Sequence, residues 1–197
     1  MFQVIVITLL SLSFFISCGG GKVARVGVDE TIDLSGEWND TDSRLVAEAM
    51  IGDCLSRAWY GKYEASGKKP TIIVGRIQNK SHEHINVETF ANDMQRELIN
   101  SGKVTFVAGR SQKTDVREER ADQEIMASEA TKKEMQNETG AELILLGSIN
   151  TIEDAIEGKR VMYYQVDLEL IHVESNEKFW IGTKKIKKLI TRDKYKL

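Results

Sequence analysis

Apolar residues recur along this chain with two distinct spacings, and each spacing predicts an element. Leu45, Val46, Ala49, Met50, Cys54, Leu55 and Ala58 fall at helical spacing behind Asp42, a residue type that caps helices. That helix is expected to end near Trp59-Tyr60-Gly61. Val87, Phe90, Ala91, Met94 and Leu98 form a second helical stripe, opened by Asn86 and stopped by Gly102. Between them a loop through Ala65–Lys69 leads to Pro70 and to the continuous apolar run Thr71–Gly75. Such a run suits a central strand covered on both faces. Val104–Ala108 reads as another short strand, and Leu143–Gly147 as a further buried one.

Beyond Gly147 the period changes to two. Met162, Tyr164, Val166, Leu168 and Leu170 alternate with Tyr163, Gln165, Asp167 and Glu169, which gives a strand with one buried and one wet face. Glu157-Gly158 and Ser175-Asn176 stand where hairpin turns are required, and Phe179–Ile190 is the last strand. Ser111–Glu124 is highly charged and reads as a mobile connection or a helix start. Ser128–Thr139 reads as a surface helix stopped by Gly140. Val26–Leu34 is a first strand or an extended arm. The expected order is therefore β–α–β–α–β–α–β–β–β. That is an α/β (α+β) domain, a mixed β-sheet flanked by helices, with no internal repeat.

The start of the chain has a different composition. Met1–Ser17 contains no Asp, Glu, Lys or Arg, and Val4–Ile16 is almost wholly apolar. A bilayer span needs about 20 apolar residues, so this run fits the core of a signal peptide. It ends at Ser17-Cys18-Gly19, which resembles a bacterial lipobox, where the signal is cut before a cysteine that receives lipid. The competing reading is an ordinary secretory signal with a chance cysteine. The expected organisation is a lipoprotein signal peptide over 1–17, a lipidated Cys18 with a short tether over 18–31, and a globular domain over 32–197. Gly19-Gly20-Gly21-Lys22 supplies flexibility, and about 13 residues of tether reach roughly 45 Å at full stretch.

Composition narrows the function classes. The chain has 197 residues, 41% hydrophobic and 29% charged, with a net charge of −3. That is long enough to bury a core and is the profile of a globular domain. Without a global basic field, nucleic acid is a poor partner. With Cys18 lipidated, Cys54 is left alone and cannot form an internal disulfide; among helix-pattern residues it reads as a small core hydrophobe.

Candidate chemistry is sparse. His82-Glu83-His84 is the one His-x-His pair, and the remaining histidine, His172, lies far away in a predicted strand, short of a metal ligand set. Gly61 and Gly67-Lys68 lack the spacing of a phosphate loop, and no Gly-x-Ser-x-Gly occurs. The carboxylates between Asp115 and Glu138 lie in a charge-rich helical stretch of the solvated kind. No enzyme, cofactor or metal is expected. Lys184, Lys185, Lys187, Lys188, Arg192, Lys194 and Lys196 make the C-terminal end basic. Lysines there block edge-to-edge strand pairing, or else meet anionic headgroups or an acidic partner. Trp38, set among turn-forming residues before the first helix, is an anchor on the core or an exposed binding residue.

The segment Asp33-Leu34-Ser35-Gly36-Glu37-Trp38-Asn39-Asp40-Thr41-Asp42-Ser43-Arg44 resembles the opening of the LpoB family of lipoprotein activators of class A (bifunctional) penicillin-binding proteins. The resemblance continues through Gly75–Ile85, Phe90–Val104 and Ala121–Gly147, and spans residues 32–190. It implies a fold like the N-terminal domain of TolB and a protein without an active site. It further implies an outer-membrane, lipid-anchored protein on the periplasmic face. Its partner would be a peptidoglycan synthase, whose glycan polymerisation and cross-linking it stimulates in cell-wall biogenesis. The family's best-known members cross the periplasm on a long linker. The short tether here implies a partner close to the protein's own membrane, a different synthase or a drifted function. The alternative is a subunit of another envelope assembly or secretion complex of the CsgG type, which shares this kind of α/β domain. No partner-contact residues carry over from the resemblance.

Overall fold

A capping box, in which two residues satisfy each other's backbone groups, starts the first helix. The structure, a computed structural model, describes residues 23–28, 30–128, 133 and 138–191. Helix α1 spans Asp40–Ser56 and is capped by Asn39, not by Asp42 as expected. Asn39 Oδ1 accepts from Asp42 N, and Asp42 Oδ2 accepts from Asn39 N, both at 3.0 Å. Asp42 is thus the third residue of the helix, and its carboxylate completes the cap rather than forming it. The buried stripe is Val46, Ala47, Met50, Ile51, Cys54 and Leu55; Leu45, Ala49 and Ala58 of the expected stripe are exposed.

The first helix also stops earlier than expected. The chain turns extended at Arg57 and restarts as α2, Ala58–Ser66. The turn lets Trp59 bury its indole, whose Nε1 donates to the Cys54 carbonyl at 2.8 Å. One carbonyl freed at the helix end is thereby satisfied.

Strand β1 spans Thr71–Asn79, α3 Val87–Asn100, β2 Thr105–Phe106, and α4 Arg110–Met126. Asn86 caps α3 as expected, accepting from Glu88 N and Thr89 N, and Phe90, Met94 and Leu98 are its buried face. The charged stretch from Ser111 is helical, whereas most of the expected 128–139 helix lies outside the described residues. Three strands of 14 residues follow: β3 (Leu143–Ile156), β4 (Lys159–His172) and β5 (Lys178–Thr191).

The sheet order is β2-β1-β3-β4-β5, with β1 parallel to both neighbours and the rest antiparallel. The mixed sheet flanked by helices matches the expected class. Two details differ. The described part of Val26–Leu34 forms no strand, so the sheet begins at Thr71. In β1, Ile72 and Ile77 are buried and Val74, on the face of Ile72, packs against the core, but Ile73 on the other face is only partly covered, so one face is closed rather than both. By contact pattern the chain divides into a unit over 1–30 and one over 31–197. In the first, the described residues contain a single turn, with Glu30 N donating to Gly27 O.

The core lies between α1, α3 and the sheet. All five alternating positions of β4, Met162 through Leu170, are buried against Leu143, Leu145 and Ile149 of β3. Gly147 is fixed by close approach: a Cβ there would stand 2.5 Å from the Asp167 carbonyl oxygen and 2.3 Å from Leu168 Cδ2.

Candidate partner-binding surface

Residues Asp33–Asn39 form a strap that precedes α1 and is tied to the sheet from three directions. Lys188 of β5 donates to Asp33 Oδ1 at 2.8 Å, to Asp42 Oδ2 at 2.6 Å and to the Glu37 carbonyl at 3.1 Å. Burial alone would weaken its charge, but the two carboxylates outweigh that and hold the ammonium above its ordinary pKa. Glu83, from the loop after β1, accepts from Trp38 N at 3.0 Å and from the Tyr164 hydroxyl at 2.5 Å. Burial first, and the Glu83 contact second, push the Tyr164 phenol above its ordinary range, so it remains a donor. Gly36, at φ +74°, lies so close to Ile190 that a Cβ would overlap that side chain.

Trp38 is held within this frame. Its indole meets Phe90 and Tyr164 edge-on, with centroids at 5.9 and 5.6 Å, and Nε1 donates to Ser43 Oγ at 2.8 Å. It is half-buried and packed on the core, as the anchor reading requires. In the His82-Glu83-His84 loop the working residue is Glu83, while both histidines are exposed. No group of three or more potential metal ligands occurs among the described residues. His172 stacks on Phe179 and organises the β4–β5 turn, its Nδ1 3.1 Å from Ser175 N. Cys54 is buried, and desolvation pushes its thiol up to about 12.

The basic C-terminal run divides into different roles. Lys188 is absorbed into the strap and is not a plain edge lysine; Lys178, outside that run, pairs with Glu169 at 2.9 Å. Lys184, Lys185 and Lys187 are exposed and make no ion pair among the described residues. Arg192, Lys194, Lys196 and the lipidation candidate Cys18 lie outside the described residues. Trp180, which sequence reasoning left unassigned, donates to Asp53 Oδ2 at 2.9 Å. Arg57 foremost and Trp180 next lower the Asp53 carboxyl below its usual range. The Asp33–Lys188 and Glu83–Tyr164 links join residues far apart in the chain, and no periodicity marks them. The arrangement offers charge, aromatic surface and a sheet edge for non-covalent binding.

The family profile described as "Peptidoglycan-synthase activator LpoB" matches residues 42–186. The chain belongs to this family. It is a family of synthase activators and envelope lipoproteins, not a catalytic one. The LpoB C-terminal domain from Escherichia coli is similar at 15% identity and a TM-score of 0.44, over 74% of this chain and 98% of that one. The corresponding domain from Salmonella enterica gives 15% and 0.43 over the same shares. The E. coli LpoB structure determined by NMR gives 14% and 0.43, over 91% of this chain and 85% of that one. No curated protein matches this chain. Among the described residues no helix is long and apolar enough to cross a membrane.

Proposed function

We propose that this protein binds a class A penicillin-binding protein and activates its peptidoglycan synthesis from a lipid anchor on Cys18 in the outer membrane. The match of the activator family's profile across residues 42–186, most of the domain, carries this reading. Activation without chemistry requires tighter binding to the synthase's active state, which shifts the synthase toward that state. The effect therefore saturates with occupancy and does not accumulate with time. The direct test is glycan polymerisation by a purified bifunctional synthase from the same organism, with and without residues Lys22–Leu197. Acceleration that saturates supports the reading. An unchanged rate with every such synthase, at concentrations well above plausible binding constants, defeats it. The anchor has its own test: Cys18→Ala leaves an unprocessed precursor without lipid label, and normal labelling of that variant removes the claim.

A further inference from the structure

The sheet ends on one side in a two-residue strand and on the other in β5, a strand of 14 residues. That second edge is roughly 45 Å long at about 3.3 Å per residue. Among the described residues, no backbone hydrogen bond from Lys178–Thr191 is made outside the β4–β5 ladder. Alternate N–H and C=O groups of β5 therefore point outward without a partner among the described residues. The strand carries five lysines and no carboxylate.

We infer that the outer edge of β5 docks an extended, carboxylate-bearing segment of a partner protein, which joins the sheet as a further strand. Three observations converge on this occupant. The lysines without an ion pair among the described residues, Lys184, Lys185 and Lys187, alternate across the strand. Lys184 lies in register with buried Val166, whereas Lys185 and Lys187 lie opposite Gln165 and Tyr163 on the other face. Cations on both faces flank an added strand, whose own side chains alternate in the same way. They do not form the single basic plane that a membrane surface meets best. A second copy of β5 is disfavoured, because strand would meet strand with lysine rows opposed.

The grooves beside the edge fit the same occupant. One, of about 250 Å³, lies between α1 and β5 and is bordered by Asp53, Trp180 and Lys184. The other, of about 480 Å³, lies between the strap and Lys187–Thr191. The first borders the helix-covered side of β5 and the second lies beside the strap, so both flank the edge along which side chains of an added strand would sit. Main-chain pairing then supplies affinity, while the grooves and lysines supply selectivity. The inference concerns this edge alone, and its test needs no synthase.

The test uses the full chain in phosphatidylcholine nanodiscs and a short acetylated peptide of alternating Glu and Val. Peptide binding is expected to slow amide exchange across Lys178–Thr191. The combined variant Lys184→Glu, Lys185→Glu, Lys187→Glu is expected to weaken binding by about tenfold or more, with β4 core amides unchanged as the check on folding. Backbone N-methylation of one alternate set of peptide residues should abolish binding, and of the other set should spare it, as strand pairing demands. Binding indifferent to both the lysines and the methylation phase overturns the proposal, as does an absence of β5 protection up to the peptide's solubility. Protection that appears in phosphatidylglycerol nanodiscs without peptide, and not with peptide, assigns the edge to lipid and overturns it equally.

Discussion

Lys188 Nζ stands 2.6 Å from Asp42 Oδ2 and so joins the last strand of the sheet to the first turn of the first helix. Both side chains are nearly covered, at 12% and 11% exposure. Asp42 also accepts the Asn39 N–H, so one carboxylate closes the helix cap and receives the ammonium of a residue far along the chain.

Replacing Lys188 with Met keeps the aliphatic stem and leaves Asp42 without its cation. Breaking a covered pair by removing one partner costs about 3–5 kcal/mol when burial is complete, so a loss of about 2–4 kcal/mol is expected here. Urea unfolding reads it as a lowered midpoint with unchanged slope. Adding Asp42→Asn to Lys188→Met should cost less than the two single losses together, because the stranded charge is gone. Strictly additive losses would show that the pair does not couple.

The same contact sets an alkaline limit on stability. The folded pKa of Lys188 is raised above the unfolded value, which is about 10.4. Its contribution is complete below that unfolded value and is lost as pH rises through the higher folded one. Wild type should therefore lose stability above about pH 10 more steeply than Lys188→Met. Parallel curves for the two proteins would contradict the assignment.

Local signals in the sequence located the elements, but not the ties between them. Asn86, Gly102 and the β4 alternation are short-range patterns, and each stands where its pattern indicates. The first helix was displaced at both ends for a physical reason. Asn39 and Asp42 are equally good caps in isolation, and only their reciprocal bonds choose between them. The break at Arg57 follows from burying Trp59, a tertiary demand that no local pattern reveals. Glu83 was hidden between two histidines that drew attention to metal chemistry, although its own partners are Trp38 and Tyr164.

Cys54 should behave as an inert core residue. Its thiol is pushed up to about 12 by burial, so at pH 8 almost no thiolate exists in the folded protein. Alkylation located by mass spectrometry should modify Cys54 only when urea unfolds the chain. Rapid modification under native conditions would show that the α1–sheet interface opens without global unfolding.

Gly147→Ala should be among the more damaging single-methyl additions. The new Cβ would meet the Asp167 backbone oxygen at 2.5 Å, and backbone in the paired strand cannot swing aside as a side-chain tip can. Overpacking of this kind costs about 1–3 kcal/mol, and the upper part of that range is expected because β3 and β4 must separate locally. Thermal unfolding measures it. Gly52→Ala in α1 is the control, since a Cβ there meets nothing within 4 Å and helix propensity favours alanine.

Trp38 separates a structural role from an interface role. Its ring touches Phe90 and Tyr164, its Nε1 serves Ser43, and its backbone N–H is held by Glu83. Removing the indole deletes both aromatic contacts and opens the strap above Tyr164, so Trp38→Ala should cost about 3 kcal/mol in urea unfolding. Trp38→Phe keeps part of the apolar contact and forfeits the bond to Ser43, so about 1–2 kcal/mol is expected. An anchor gives this graded loss, with any fall in synthase activation following the fraction unfolded. A binding residue gives the opposite result: midpoints close to wild type and activation lost by the folded protein. Measuring both quantities on both variants distinguishes the two, because the half-buried ring and its internal hydrogen bond predict that stability falls first.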